Sequence, residues 1–333
     1  MKLPEGYVAR AARLDDVDGI VRLMNEHGQD TAGRDLVTPE EIRQQMQIPG
    51  LDLEKDTRVV EAVDGEIVGM GFAFAFAPFV QVQSMGVVLP KHCGKGIGSA
   101  LLDWIEERAW LAVDQASPGV RVTLMQGMDE REQAGRGLLE QRGYEIVRHF
   151  WKMVIEMDSP PPEPVWDEGI RLSVYDPQVD LERAFHAGRD AFKDHWGHVD
   201  SPVEEGLERV RHRIANDPEF DPSLRFLAWE GNEIVGVCYA NAKDGPDRST
   251  GYIATLGVRR PWRRRGIALA LLRHAFGECY RRGLKRVALH VDAASLTGAT
   301  RLYEKAGMHT DELNHAYEKE LRAGIDHTTQ SVS

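Results

Sequence analysis

The chain carries the same three sequence blocks twice, and this duplication limits its architecture more than any other feature. VDGEIVGMGFAFA (Val63–Ala75) matches EGNEIVGVCYANA (Glu230–Ala242) almost position by position. VVLPKHCGKGIGSALL (Val87–Leu102) matches GVRRPWRRRGIALALL (Gly257–Leu272). GRGLLEQRGYE (Gly135–Glu145) matches GATRLYEKAGMH (Gly298–His309) with one residue of slack. The order is kept, at a spacing of about 160–170 residues, far beyond the 20–50 of stacked solenoid repeats. That spacing is one domain's length, so the 333 residues read as two homologous domains. The expected boundaries are 1–157, a proline-rich linker at 158–166 (DSPPPEP, Asp158–Pro164), 167–323, and a frayed tail at 324–333.

Each half reads as an α/β unit with a mixed (α+β) sheet. In the first, Tyr7–Ala12 predicts a strand, Asp15 caps a helix through Met24, and Thr38-Pro39 starts another with proline at its first position. Asp64-Gly65 and Gly231-Asn232 are turn dipeptides between strand-like runs, and so predict hairpins. A strand near Val80–Val88, a long helix from Gly98 to Trp110, a strand at Val120–Met125, a helix at Gln133–Arg142 and a last strand at Glu145–Glu156 complete the unit. The second half repeats the plan from Ile170.

Five of the seven residues from Arg259 to Arg265 are arginine, in a chain of net charge -12. They lie between an apolar strand end and an amphipathic helix with Ala268, Leu271, Leu272, Ala275 and Cys279 on one face and Gly283 as its stop. Arginine matches phosphate oxygens, the helix start offers unpaired N–H groups to an anion, and Gly266 lets backbone come close. The stretch therefore predicts a phosphate cradle. A patch for nucleic acid or membrane is the bland competitor, disfavoured because Gly266 and the helix register would then be superfluous.

The pattern Val258, Arg263, Gly266, Ala268 resembles the acyl-CoA pyrophosphate loop of the GNAT superfamily, and Val291–Met308 (VDAASLTGATRLYEKAGM) is similar to that family's strand–helix block. The resemblance covers nearly all of both halves and implies two tandem GNAT acyl-CoA N-acyltransferase domains. It further implies that pantetheine lies along Leu256, Gly257 and Val258. Pyrophosphate meets the amides of Arg264, Arg265, Gly266, Ile267 and Ala268, with arginine side chains, Arg263 among them, screening the phosphates. Ser295 stands where many relatives place a pantetheine-contacting asparagine. Tyr303 occupies the general-acid position, and a core tyrosine is its bland alternative. In the first half the matching loop is Val88, Cys93, Gly94, Lys95, Gly96, Ile97 and Gly98, with Cys93 in the arginine's place and Leu139 in that of Tyr303. The expectation is a first domain that is structural or holds acyl-CoA without turnover, and a catalytic second.

The implied activity is direct acetyl transfer from acetyl-CoA to the primary amine of a small molecule. A cysteinyl amine is a narrower alternative, and a non-enzymatic acyl-CoA sensor or scaffold is the rival class. No general base is visible, since Gly251–Val258 contains no carboxylate; Thr255, Asp244, Asp247, Asp292 and His290 stay open, His290 reading first as structural. The acceptor is expected near Phe185–Arg213, a region holding Asp190, Asp194, His195, Trp196, His198, Asp200, Glu204 and Glu205, with Trp196 as a plug the alternative. Trp262 reads as a packing residue. Three cysteines (Cys93, Cys238 and Cys279) without metal-ligand spacing, no apolar run near the roughly 20 residues of a membrane span, and no leader-like N-terminus predict a cytoplasmic, metal-free protein. The acidic balance argues against nucleic acid and for a cationic substrate. A monomer is expected, because two similar domains can cover each other's faces.

Overall fold

The computed structural model describes residues 1–331. In chain order the elements are β1 (Tyr7–Arg10), α1 (Val17–Ala32), α2 (Pro39–Met46), α3 (Leu53–Asp56), β2 (Thr57–Ala62), β3 (Ile67–Ala75), β4 (Gln81–Val88), α4 (Ile97–Val113), β5 (Val122–Asp129), α5 (Gln133–Gln141) and β6 (Glu145–Glu156). They continue with β7 (Ile170–Val174), α6 (Leu181–Phe192), α7 (Val203–Asn216), β8 (Arg225–Glu230), β9 (Glu233–Asn241), β10 (Thr250–Val258), α8 (Ile267–Arg281), β11 (Arg286–Asp292), α9 (Ala299–Lys305) and β12 (His309–Arg322). The plan read from the blocks is the plan observed, with ends shifted by a few residues. Thr38 does cap α2, accepting from Glu41 N–H while Glu41 reaches back to Thr38 N–H, an arrangement worth about 1 kcal/mol. The cap of α1 is Asp16 rather than Asp15, and Arg10 holds its carboxylate with both terminal nitrogens.

Two compact units form, and each draws on both halves of the sequence. The first comprises Met1–Arg148, Ser201–Asp217 and Asn314–His327. Its strands run in the order β1-β2-β3-β4-β5-β12. All neighbours are antiparallel except β4 and β5, which are parallel from Gln81/Thr123 to Ser84/Gln126 and not beyond. Its closing strand comes from the end of the chain, with Asn314 opposite Asp129 and Arg322 opposite Val122. Tyr317 on that strand is fully buried beside Leu124 and Leu139.

The second unit comprises His149–Asp200, Pro218–Leu313 and the residues from Thr328. Its strand order is β6-β11-β10-β9-β8-β7. Here β6 closes the sheet, running antiparallel to β11 from Phe150/Asp292 to Glu156/Arg286. The core lies between this sheet and α8, whose Ile267, Leu271, Leu272, Ala275, Phe276 and Cys279 are each at most 1% exposed. Burying one such side chain contributes about 1.5–3 kcal/mol. Gly283 ends the helix at φ 85°, where only glycine is unstrained.

The segment from Gly324, expected to fray, is hydrogen-bonded instead. Ile325 exchanges backbone bonds with Gly119 and Arg121 in the first unit, and Thr329 does so with Gly197 and His198 in the second. The last two residues of the expected tail, 332 and 333, lie outside the described residues.

Candidate active site

Strand β10 is the spine of the site. It pairs with β11 at Thr250/Arg286, Gly251/Val287 and Tyr252/Ala288, and then the two strands part. The register with β9 also slips between Ile253 and Thr255, leaving Ala254 as the extra residue of a β-bulge and exposed. The bulge reverses the alternation of faces. Gly251 looks toward Cys279 on α8, whereas Gly257, of the same parity, lies under α6, where an added Cβ would stand 2.8 Å from the Phe192 ring. Parting strands and bulge together open a cleft of about 320 Å³ lined by Tyr252, Ala254, Leu256, His290, Ser295 and Tyr303 among others. A fork of this kind leaves main-chain N–H and C=O groups of β10 without a strand partner, ready for an extended ligand.

The arginine loop closes the wide end of the fork. Its backbone alternates sign: Arg263 is extended, Arg264 has φ 65° and Gly266 φ 78°, immediately before α8. Such an alternation turns successive N–H groups into one concavity, and the first amides of α8 have no acceptor within the helix. Space beyond Gly266 is open, with no atom within 4 Å of a built Cβ. Four of the five arginine side chains of the loop are held by carboxylates. Arg259 pairs with Asp190 (2.8 Å) and Glu233 (2.6 Å). Arg260 and Arg263 share Asp194, and Arg265 pairs with Asp167 (2.5 Å) and Glu230 (2.8 Å). Arg263 also donates to the carbonyls of Val258 (3.0 Å) and Ala191 (3.0 Å), so it ties the loop to α6. Arg260, then Arg263, holds the Asp194 carboxyl below the usual range. Arg264, exposed, is the one arginine of the loop without an ion pair among the described residues. Trp262 packs on the core as expected, donates to Glu230 and lies 4.8 Å from the Arg259 guanidinium.

The remaining expected contacts divide. Ile267 is 1% exposed, so only its amide is available, and Ala268 is half-buried at the start of α8. Ser295 lines the cleft, but its hydroxyl already accepts from Ala299 N–H (3.2 Å) and meets Thr297 (3.2 Å). Tyr303, on the short α9, lines the cleft from the α8 side, and no group among the described residues hydrogen-bonds its hydroxyl. Burial, with Cys238 and Tyr252 adding to it, pushes that hydroxyl far above its ordinary value, so it stays a proton donor. Of the acceptor region, Asp194, His195 and Trp196 line the cleft. Asp190 is engaged with Arg259, His198 lies 3.4 Å from Asp200, and Glu204 and Glu205 fall on α7 in the first unit. The sequence reading missed Tyr252, whose hydroxyl meets His290 Nδ1 at 2.9 Å inside the cleft. Two aromatic-polar residues on separate strands could have suggested it only once the strand register was known.

The first unit repeats the fork with different residues around it. Its strands also part, around a cleft of about 590 Å³ lined by Val88, Cys93, Gly94, Gly96, Gly98 and Leu139 among others. Gly94 and Gly96 take φ 74° and 85°, and Ile97 is buried. But β4 keeps its register with β3 throughout, so there is no bulge. Cys93 Sγ lies 3.9 Å from Val88 C=O where Arg263 bonds Val258, Lys95 is exposed, and Leu139 is buried in the core.

The comparisons with known proteins follow the same lines. The model of the acetyltransferase (GNAT) family matches residues 186–308. A mycothiol acetyltransferase from Catenulispora acidiphila is 30% identical over 224 residues, 66% of this chain and 67% of its own. A solved GCN5-related N-acetyltransferase from Sphaerobacter thermophilus is 36% identical, with a TM-score of 0.79 over 98% of this chain and 99% of that one. The chain belongs to the GNAT acetyltransferase family. A tandem GNAT protein from the clavulanic acid pathway shares the fold, with a TM-score of 0.71 at 13% identity, covering 94% of this chain and 98% of its own. The chain is thus a tandem GNAT acyltransferase that uses an acyl-CoA co-substrate, which decides against the non-enzymatic reading. The fork, the amide concavity and the open space over Gly266 fit such a ligand. Among the described residues no cluster of metal-ligating side chains occurs, and no helix is long and apolar enough to cross a membrane.

Proposed function

We propose that the second unit transfers the acetyl group of acetyl-CoA directly to the primary amine of a small molecule, with Tyr303 as the general acid. The observation that carries this is a buried tyrosine, its proton held by desolvation, lining the fork that would hold the thioester. Main-chain groups of Leu256, Gly257 and Val258 would align the pantetheine arm, and a freed amide near the Ala254 bulge would polarise the carbonyl. The amides from Arg264 to Ala268 would hold pyrophosphate, with Arg264 as the available cation. Tyr303 would protonate the departing thiolate. The first unit, with Leu139 in place of the acid, would bind acyl-CoA without turning it over.

The test follows product by mass spectrometry over a panel of small amines. Tyr303→Phe is expected to lower kcat by about 10²–10³-fold with KM for acetyl-CoA nearly unchanged. Gly266→Glu, which sets a carboxylate in the cradle, abolishes turnover, and Gly96→Glu leaves it. Turnover that survives Gly266→Glu and is lost in Gly96→Glu overturns the assignment. A narrower reading takes the cysteinyl amine of desacetylated mycothiol as acceptor. What favours it is the name mycothiol acetyltransferase, borne by relatives such as those from Catenulispora acidiphila and Thermobispora bispora, each 30% identical. Acetylation of that amine at least a hundredfold faster than the rest of the panel is its expected outcome.

A further inference from the structure

We propose that Tyr252, backed by His290, accepts the proton that the attacking amine must lose. The proposal rests on the reading of the second unit as the catalytic one. Of the nearby carboxylates, Asp194 is paired with Arg260 and Arg263, Asp190 with Arg259 and Asp244 with Lys152 at 2.6 Å, while Asp292 on the cleft wall accepts from Ala294 N–H at 3.0 Å. Tyr252 stands on the last paired rung of the fork, and its hydroxyl meets His290 Nδ1 at 2.9 Å.

The pair also faces the right way. Leu289 and Val291 are in the core with Tyr303 and α8, so His290 between them points to the other face of the sheet. Gly251 looks at α8, so Tyr252 beside it also points away from that helix. Acid and base thus reach the fork from opposite faces of the sheet. That placement gives the nitrogen and the sulfur of the tetrahedral intermediate separate partners for their protons.

Comparison of the two units supports a shared role. Gln83 pairs with Phe74 and Met125 as Tyr252 pairs with Asn241 and Ala288, and Gly127 pairs with Ala316 as His290 pairs with Lys152. Where Tyr303 becomes Leu139, Tyr252 becomes Gln83 and His290 becomes Gly127. The three titratable groups are lost together.

In the step, the amine nitrogen bonds the carbonyl carbon and the carbon–sulfur bond breaks. Sulfur takes the proton of Tyr303. The nitrogen passes its proton to the Tyr252 oxygen while the Tyr252 proton moves to His290 Nδ1, which requires that nitrogen to be the acceptor in the resting pair. Solvent resets Tyr303 and His290 after the products leave. Burial pushes the Tyr252 hydroxyl up to about 12, so the phenol needs the imidazole behind it. Around the pair are Lys152, the strand partner of His290, with Asp244; Asp292 on the same strand; Asp194 and His195 on the cleft wall; and Tyr303.

The experiment measures kcat and KM against pH for wild type, Tyr252→Phe and His290→Gln, with desacetylated mycothiol, cysteamine, putrescine and lysinamide as acceptors. Rates are compared on whichever of these wild type acetylates fastest. Thermal stabilisation by acetyl-CoA reports whether each variant is folded. Both variants are expected to lose about 10²-fold in kcat with KM for acetyl-CoA unchanged. Wild type is expected to show an acid limb in kcat, because a protonated imidazole cannot accept the Tyr252 proton. In the variants that limb moves to the amine's own titration. Folded variants within threefold of wild type and with its pH profile overturn the proposal alone. A wild type that acetylates none of the four amines overturns the catalytic reading and this one with it.

Discussion

Arg264 combines a left-handed backbone with the one charge of the loop that is not ion-paired among the described residues. Its φ of 65° is left-handed, a region that costs an L side chain about 1–2 kcal/mol and that glycine enters freely. The equivalent residue of the first unit is Gly94, at φ 74°. Keeping arginine there makes sense only if its charge is used, and its neighbours' charges are already matched by carboxylates. Arg264→Gly is therefore expected to raise the unfolding free energy by about 1 kcal/mol while raising KM for acetyl-CoA about tenfold at low salt, less at high salt. Thermal melts and steady-state kinetics on the same preparation check both; a variant neither more stable nor weaker in binding would mean that Arg264 contributes nothing at the cradle. The other arginines show where residue type stops being informative. Five cations beside a helix start suggest phosphate contacts, with Arg263, Arg264 and Arg265 the nearest to it. Asp167, Asp190, Asp194, Glu230 and Glu233 lie tens of residues away in sequence, and nothing local says that they fold back onto the loop.

At the scale of elements, the loop, α6 and β10 behave as one assembly pinned at Asp194. That carboxylate is buried, accepts from Arg260 and Arg263, and thereby joins the loop to the end of α6; Gly257 allows α6 to press directly on β10. Its pKa lies below the ordinary aspartate value of 3.8, so the ionised form is the one the folded state favours. The stabilisation is present in full above pH 3.8 and is lost as pH falls through the lower folded value. Asp194→Asn is accordingly expected to lower Tm by several degrees at pH 6 and to weaken acetyl-CoA binding. The gap to wild type closes as pH falls below about 4, which melts at a series of pH values would show. A gap that does not change with pH would assign the loss to packing rather than charge. The elements were legible because their signals are local: a turn dipeptide, a cap, a helix-spaced apolar face. The bulge was not, because Ile253-Ala254-Thr255 carries neither glycine nor proline, and its position depends on how β10 registers against β9. Tyr252 and His290 stayed unpaired on paper for the same reason.

For the whole molecule, the duplicated sequence predicts two bodies, each built from its own half, whereas the compact units exchange segments. The first unit takes its β5 partner and α7 from the second half of the sequence; the second takes its β11 partner from the first. Period and order in a sequence mark the repeat, but they do not say which copy of a closing strand enters which sheet, because both copies offer the same alternation. The exchange has a physical consequence. A fragment 1–157 leaves the β12 side of β5 open from Val122 to Asp129 and loses the buried Tyr317, with its bonds to Arg136 and Glu140. A fragment from 167 onward leaves β11 an open edge and Asp244 without Lys152. Open edges of this kind template aggregation. Each fragment alone is therefore expected to be poorly soluble or to lack a cooperative melt, whereas the two co-expressed fragments should recover a soluble complex with near-native turnover. Two fragments that melt cooperatively on their own would show that each half closes its own sheet.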